Sequence, residues 1–385
     1  MDERTTNTDV MDRRRFVAGL SALGAVGLAG CGSAGNGDGN GNGNGNGDDV
    51  TESGVGQIGS ARAGRGPPGG TPIAEMPDLE GELTVYSGRG EFLVGELVEY
   101  IKQQYDDLSL TVRYGGSTDL VNQIANEGQG SPADVFYSVN SGALGALARE
   151  GRTQTLSEEI TDLVRDEFHT EEWIGTSGRA RTVPYNTNAY SEENMLNDIM
   201  AYPDEFGGQL GWAPSYGSCQ AFITAMRILE GEEATREWLN GVLNAGIQAY
   251  PDEFVACQAI ADGEIDAAFT NHYYIQRVLD SSPGAPIATS FTEGDAGAVF
   301  NVAGAAVVDT ASDATLAENF VRHLLSAEAQ DYFARTTFEY PLIPGVEPIG
   351  NLPTIDELDV PDIDLTQLSD LEATVDLMRD VGVDI

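Results

Sequence analysis

The sequence predicts an α/β fold with two lobes and a cleft between them. From about residue 81 onward, short apolar runs alternate with amphipathic segments of helical spacing, a pattern typical of largely parallel sheets flanked by helices. This globular part is about 300 residues long, which exceeds one comfortable hydrophobic core. Two extended stretches, Arg179–Tyr185 and Ala298–Val308, are placed to cross between two such cores.

The two crossings predict how the chain divides. A chain that crosses twice leaves the first sheet and later rejoins it, so each lobe is built from two stretches. We expect residues 81–183 and 298–344 in the first lobe, and residues 184–297 and 345–385 in the second. The acidic stretch Asp356–Asp370 is expected to form a solvated outer surface.

Each predicted strand of the first lobe runs into a helix through small or polar residues. The strands are Leu83–Tyr86, Leu110–Tyr114 and Ala133–Tyr137. The helices that follow them begin near Glu91, Ser117 and Ser141. In the second lobe, the strand Leu210–Ala213 leads in the same way into the helix Cys219–Leu229. Junctions of this kind are where open α/β sheets bind their ligands.

The N-terminal part is predicted to be a targeting segment and a tether. Three consecutive arginines precede an apolar run, Ala18–Ala29, that is too short to span a bilayer, as in a twin-arginine export signal. Residues 1–31 would be this signal, and they end in a lipobox-like sequence whose Cys31 would carry the lipid. Residues 32–80, rich in Gly, Asn and Asp, would be a disordered tether.

The charge composition excludes several classes of partner. The chain has 20 basic and 62 acidic side chains, a formal net charge of -42, and Lys102 is its only lysine. Nucleic acids and anionic membrane surfaces would repel such a protein. Because the hydrophobic fraction of 41% is ordinary, the acidic side chains coat a globular protein, which is typical of a halophile living in high salt.

One tyrosine pair is a candidate metal site. Tyr273 and Tyr274 follow a short buried strand predicted at 265–270, and Asn271 is a suitable N-cap for the helix that they begin. Unpaired N–H groups and the helix dipole favour negative charge there, which a phenolate would supply. Free tyrosine has a pKa of about 10, so an ionised pair requires a strong cation such as ferric ion. The alternative is that Tyr273 is a core residue and Tyr274 a surface residue.

The segment Ser131–Ser138, with the sequence SPADVFYS, resembles the ferric-ion-binding periplasmic proteins of ABC transporters, which belong to the type 2 extracellular solute-binding superfamily. The resemblance runs from about Leu83 to the C-terminus and covers several blocks in one order. These blocks are Val85–Arg89, Ser177–Arg179, Tyr185–Thr187, Gly263–Ala268, Asn271–Tyr274 and Glu339–Leu342.

The resemblance implies a type 2 periplasmic-binding-protein fold, in which two mixed sheets flanked by helices are joined by β-strand hinges around a central cleft. It implies a monomer that captures ferric iron and delivers it to the permease and ATPase of an ABC transporter. The protein would be exported and held at the outer face of the cytoplasmic membrane, with its lipid as its only membrane contact and with no role for nucleic acid.

The resemblance also assigns candidate metal ligands. A consecutive tyrosine pair supplies phenolates in this family, and it falls on Tyr273 and Tyr274. In some branches a third tyrosine, at the position of Tyr185, also binds the metal. Another branch uses a histidine and a glutamate, but those positions are Gly90 and Val139 here, which favours the tyrosine-rich branch.

Members of this family complete the coordination with a bound anion, phosphate or carbonate. The helix start at Gly217 and Ser218 would offer backbone donors, and Arg89 and Arg179 would grip the anion. Glu253 stands where phosphate-using members carry an asparagine, and its charge would repel phosphate, so carbonate is favoured.

Three further side chains near these blocks have more modest expected roles. Arg181 is expected to pair with surface carboxylates. His272, next to the tyrosine pair, either supports the ligands from behind or is a surface imidazole. The resemblance places Cys219 and Cys257 near the anion-binding helix start, where they either form a disulfide or remain two buried free thiols.

The two alternatives to iron binding are a receptor for another small ligand and an enzyme. A receptor of the same fold could bind thiamine, a polyamine or an oxyanion instead of iron. An enzyme is not indicated, because the histidines at 169, 272 and 323 are scattered and the chain has neither a Gly-x-Ser-x-Gly motif nor a phosphate-binding glycine loop.

Overall fold

A computed structural model describes residues 55–59 and 65–385 of the chain as alternating strands and helices. The strands are β1 (Gly81–Ser87), β2 (Leu108–Tyr114), β3 (Val135–Ser138), β4 (Ile174–Asn186), β5 (Leu210–Trp212), β6 (Gln248–Ala249), β7 (Ala267–Ala268), β8 (Thr270–Asn271), β9 (Ile287–Ser290) and β10 (Phe300–Val307). The helices are α1 (Glu91–Gln104), α2 (Ser117–Glu127), α3 (Ser141–Arg149), α4 (Glu158–Thr161), α5 (Tyr202–Glu205), α6 (Gly217–Leu229), α7 (Glu232–Asn244), α8 (Glu253–Asp262), α9 (His272–Ser281), α10 (Ala314–His323), α11 (Ala327–Tyr332) and α12 (Glu372–Asp380). The predicted α/β class is confirmed.

The long strand β4 connects all the strands into one hydrogen-bonded order. That order is β2-β1-β3-β10-β4-β7-β5-β6, with β8 and β9 also paired to β4. β1 is parallel to β2 and β3, and β5 is parallel to β6 and β7, whereas β4 and β10 run antiparallel to their neighbours. Residues 174–180 of β4 pair with β10, and residues 181–186 pair with β8 and β9. The two predicted mixed sheets therefore share β4, and the predicted lobe boundaries stay a prediction.

The predicted strand at 265–270 is divided into two short strands. Ala267 and Ala268 pair with β5, whereas Thr270 and Asn271 pair with Thr182 and Arg181 of β4. The chain changes partner at Phe269, which is buried. This change of partner brings the start of α9 beside the middle of β4.

Part of the predicted tether is packed against the body of the protein. The prediction of a disordered segment over residues 32–80 is wrong for residues 65–80, because Ile73 and Leu79 are buried in the same apolar core as β1. The carboxylate of Glu328 accepts hydrogen bonds from the backbone N–H of Gly56 and of Ile73, each at 2.9 Å.

The other N-terminal predictions lie outside the described residues. These are the export signal at 1–31, the lipid attachment at Cys31 and the tether up to residue 54. In the part of the chain that the structure describes, no helix combines the length and the apolarity that a bilayer crossing requires.

The segment formed by residues 365–371, here called the cover segment, corrects the expectation for the acidic stretch 356–370. Leu365 and Leu368 are buried rather than solvated. The Ser141 hydroxyl at the start of α3 donates to the Leu365 carbonyl at 2.9 Å. Just beyond the segment, the hydroxyls of Thr374 and Thr224 in α6 lie 2.7 Å apart. The chain here contacts both α3 and α6, because its leucines have an apolar surface to cover.

His323, at the end of α10, is a buried neutral imidazole. Its Nδ1 lies 2.6 Å from the Asn319 carbonyl and its Nε2 lies 2.6 Å from the Tyr105 hydroxyl. One nitrogen donates and the other accepts, so the neutral ring is satisfied. Burial lowers the pKa of His323 to about 4.

We expect this histidine to make the fold less stable in mild acid. As the pH falls from about 6.5 toward about 4, the unfolded chain takes up a proton that the folded chain does not, so the free energy of unfolding decreases. In urea titrations in high salt, His323→Gln should show a shallower decrease than the parent over this range, with parallel curves between pH 7 and 8. If the parent and His323→Gln have equal slopes in the acid range as well as between pH 7 and 8, the prediction is contradicted.

Candidate metal site

A cavity of about 980 Å³ lies where the starts of α1, α3, α6 and α9 approach the middle of β4. The cover segment lines it from one side through side chains from Thr366 to Leu371. The lining residues that matter most for its chemistry are Arg89, Arg179, Tyr216, Tyr273, Tyr274 and Arg277.

The tyrosine pair stands in the first turn of α9, as predicted. The ring centroids of Tyr273 and Tyr274 are 4.3 Å apart, and both rings line the cavity. Asn271 precedes the helix but does not cap it with its side chain; its amide instead lies 3.4 Å from the Tyr273 hydroxyl. Tyr274 is 5% exposed, so the alternative of a surface residue is excluded.

Burial keeps both phenols protonated in the absence of a cation. Desolvation raises the pKa of Tyr273, although the positive charge of Arg179 acts in the opposite direction. Desolvation raises the pKa of Tyr274 strongly, and its neighbours Tyr273 and Tyr216 raise it further. Only a group of high positive charge would make ionisation of these phenols favourable here.

Tyr216 is a third phenol at the site that the sequence interpretation missed. It precedes α6, and its hydroxyl lies 2.8 Å from the hydroxyl of Tyr274. The sequence alone indicates only backbone donors at this helix start, from Gly217 and Ser218. The signal that could have identified it is a tyrosine next to a helix start that follows a strand, an arrangement similar to that of the pair.

The structure does not bring Tyr185 together with the pair. Its backbone, near the end of β4, pairs with Ala267 and Ala288, and its side chain is not among those that line the cavity. Desolvation and the negative charge of Glu192 both raise the pKa of Tyr185.

Arg89 is held mainly by the protein itself. Its guanidinium lies 2.6 Å from the carboxylate of Glu339 and 2.7 Å from the hydroxyl of Ser177, and all three side chains are buried. Burial opposes ionisation of Glu339, but the positive charges of Arg89 and Arg179 outweigh it and hold its pKa below the usual range. Both terminal nitrogens of Arg89 are therefore engaged, although its Nε atom has no partner in the described protein.

Arg179 and Arg277 are two cations at this site that remain open to a ligand. Arg179 donates to the Val139 carbonyl, and its buried Nε has no partner among the described residues. The Arg277 guanidinium lies 5.0 Å from the ring centroid of Tyr273 and 5.3 Å from that of Tyr274. Within the described ranges, no carboxylate is within ion-pair distance of either arginine.

Arg181 is buried, so the expectation that it pairs with surface carboxylates is wrong. It is 1% exposed, and its guanidinium lies 2.5 Å from the carboxylate of Glu253, which is fully buried. Its other terminal nitrogen donates to the Phe269 carbonyl. The negative charge of Glu253 is therefore balanced inside the protein, because its partner is buried beside it.

His272 is buried next to the tyrosine pair, which excludes the surface alternative. It is fully buried; its Nδ1 accepts from the Ala180 N–H at 3.1 Å and its Nε2 donates to the Phe338 carbonyl at 2.8 Å. Burial lowers its pKa to about 4. The neutral ring thereby ties the start of α9 to β4.

The two cysteines and the helix start complete the description of the site. Cys219 and Cys257 are free and buried, and burial raises the pKa of each thiol to about 12. Gly217 and Ser218 line the cavity, but the Ser218 hydroxyl donates to Glu253 at 2.6 Å. Across the described ranges, no three His, Cys, Asp or Glu side chains gather as a group that could hold a metal ion.

Comparison with known proteins places the chain in a family. The pattern of the bacterial extracellular solute-binding protein family matches residues 96–357. The major ferric iron-binding protein of Neisseria meningitidis serogroup A is 29% identical over 310 residues, covering 78% of this chain and 93% of that protein. Iron uptake protein A1 of Synechocystis is 28% identical over 287 residues, covering 71% of this chain and 79% of that protein.

A solved structure supports the same assignment. The crystal structure of iron-bound HitA from Pseudomonas aeruginosa superposes with a TM-score of 0.68 at 30% identity, covering 80% of this chain and all of that one. The predicted two-lobed type 2 periplasmic-binding-protein fold is thereby confirmed. The chain belongs to the bacterial extracellular solute-binding protein family, whose members bind substrates for transport and are not enzymes.

Proposed function

We propose that this protein captures ferric iron in the cavity through the phenolates of Tyr273, Tyr274 and Tyr216 and delivers it to the permease and ATPase of an ABC transporter. The observation that carries this proposal is the meeting of three tyrosines from two helix starts, with the Tyr216 and Tyr274 hydroxyls 2.8 Å apart. Relatives with iron in their names support the identity of the cargo.

The charges of the site suit ferric iron and an anion. Three phenolates balance a trivalent cation, which reduces the cost of burying it. Arg179 and Arg277, which have no carboxylate partner in the described ranges, provide for an oxyanion beside the metal. We favour carbonate, because a small planar anion matches a guanidinium and fits beside three bulky rings.

The location of the protein is also part of the proposal. The family description and the N-terminal sequence support export, and we propose a lipid anchor at Cys31 with the protein acting as a monomer at the outer face of the cytoplasmic membrane. The formal net charge of -42 supports a high-salt environment.

A visible absorption spectrum recorded during ferric titration in high salt tests the proposed function. Binding should produce a phenolate-to-iron charge-transfer band that saturates at one equivalent. A colourless protein that takes up no ferric ion would refute it. The open arginines favour one other candidate, an oxyanion receptor, which predicts tight anion binding without iron in the same titration.

The third tyrosine can be identified by two matched variants. We expect Tyr216→Phe to shift the charge-transfer band and to weaken ferric binding by about 10- to 100-fold, since one ligand is lost. Tyr185→Phe removes the equivalent hydroxyl outside the cavity and should leave both unchanged. If Tyr185→Phe weakens ferric binding and Tyr216→Phe does not, the third ligand is Tyr185, as the family resemblance implies, and not Tyr216.

A further inference from the structure

We infer that Glu253 is the positioning residue that holds the two tyrosine-bearing helix starts in register, an inference that rests on the proposed function. Glu253 is the first residue of α8 and is fully buried. It does not line the cavity, so any action on the cargo must pass through its neighbours.

The Glu253 carboxylate joins three separate elements. One oxygen accepts from Arg181 of β4 at 2.5 Å and from the Ser218 hydroxyl of α6 at 2.6 Å. The other oxygen accepts from the backbone N–H of Asn271 at 2.9 Å. The bonds from Arg181 and Ser218 are short, the bond from Asn271 has an ordinary length, and the three donors approach from different parts of the chain.

Two of these donors lie beside the phenols. Ser218 is two residues from Tyr216, and Asn271 is two and three residues from Tyr273 and Tyr274. A single carboxylate thus fixes the distance between the two segments whose hydroxyls meet at 2.8 Å. Buried ligands that must converge on one ion have to be held by neighbouring side chains, because a small displacement of either segment moves its ligands away from those of the other.

Arg181 makes the arrangement possible. Burying an unpaired carboxylate would be unfavourable, but the Arg181 guanidinium neutralises it and is itself held over the Phe222 ring, 4.8 Å from the ring centroid. The negative charge of Glu253 is therefore neutralised inside the protein.

Two substitutions test the inference through the ferric complex. Glu253→Gln keeps an acceptor for Arg181 and Ser218 but presents an NH₂ group to the Asn271 N–H, leaving that donor unpaired. Ser218→Ala removes only the bond to α6. We expect each variant to weaken ferric binding by about 10- to 100-fold and to alter the charge-transfer band, and Ser218→Thr, which keeps the hydroxyl, to restore both.

A double-variant cycle separates positioning from general stability. In a Tyr216→Phe background, Ser218→Ala should leave the ferric affinity nearly unchanged, because the phenol that Ser218 positions is already absent. Ser326→Ala, which removes a buried hydroxyl that caps α11 far from the cavity, is the matched control and should leave the band unchanged.

The outcomes distinguish a failure of the proposed function from a failure of the positioning role of Glu253. A parent protein without a charge-transfer band refutes the proposed function and this inference with it. A normal parent with parental binding in Ser218→Ala, or with equal effects of Ser218→Ala in both backgrounds, refutes the positioning role alone. If Glu253→Gln does not fold, the Ser218 series decides the question by the same criteria.

Discussion

The double variant Tyr273→Phe/Tyr274→Phe should bind ferric ion at least about 1,000-fold more weakly than the parent, equivalent to roughly 4 kcal/mol. The change removes two hydroxyls from rings that remain buried side by side, so it leaves the packing of α9 nearly intact. What is lost is the pair of phenolates that would balance two of the three charges of the ion. Most of the charge-transfer band should be lost with them.

Titration of ferric ion against a competing chelator in high salt measures this effect. The control is Tyr332→Phe, which removes a hydroxyl that donates to the Leu93 carbonyl at 2.9 Å. It should bind ferric ion like the parent. Because each phenol must lose a proton on binding, the parent should also release protons during the titration, and the double variant should release fewer for each ferric ion bound. Parental affinity in the double variant would place the site elsewhere.

The second large effect concerns stability. Arg89→Leu should lower the free energy of unfolding by about 3–5 kcal/mol, because it leaves Glu339 as an uncompensated buried charge. The Arg89 and Glu339 side chains are 1% and 9% exposed and lie 2.6 Å apart, so solvent and salt screen them weakly. The double variant Arg89→Leu/Glu339→Leu should be more stable than the single one, since neither charge remains.

Urea unfolding in high salt, followed by circular dichroism, checks this prediction. Arg113→Leu is the matched control, because Arg113 forms a longer pair with Glu127, at 3.9 Å, with side chains 55% and 25% exposed. We expect that variant to lose at most about 1 kcal/mol. An Arg89→Leu variant as stable as the control would show that the buried pair contributes little.

Local patterns were sufficient to predict the elements of the fold. The observed positions of β1, β2, α1 and α3 are close to those predicted. Each of these elements has a repeating pattern of apolar residues that can be recognised within a few positions. The tyrosine pair could be found for the same reason, since strand, cap and helix start are contiguous in sequence.

Contacts between distant segments could not be predicted in this way. Tyr216 meets Tyr274 across 58 positions, and Arg181 meets Glu253 across 72. Nothing in the local sequence distinguishes Arg181 from an exposed arginine, because its burial is decided by the pairing of β4 with β8. For a related reason, the composition of the acidic stretch 356–370 does not reveal that Leu365 and Leu368 within it are buried.

The cover segment has a consequence for how the protein is made. Its bond from Ser141 to Leu365 spans 224 positions, and the Arg89–Glu339 pair spans 250. Contacts of such long range form late and slowly, because the intervening chain must first be synthesised and ordered. While residues beyond about 364 are still inside the ribosome, α3 and α6 have no cover and the cavity lacks one wall. The cavity is therefore complete only after residues 365–371 have left the ribosome.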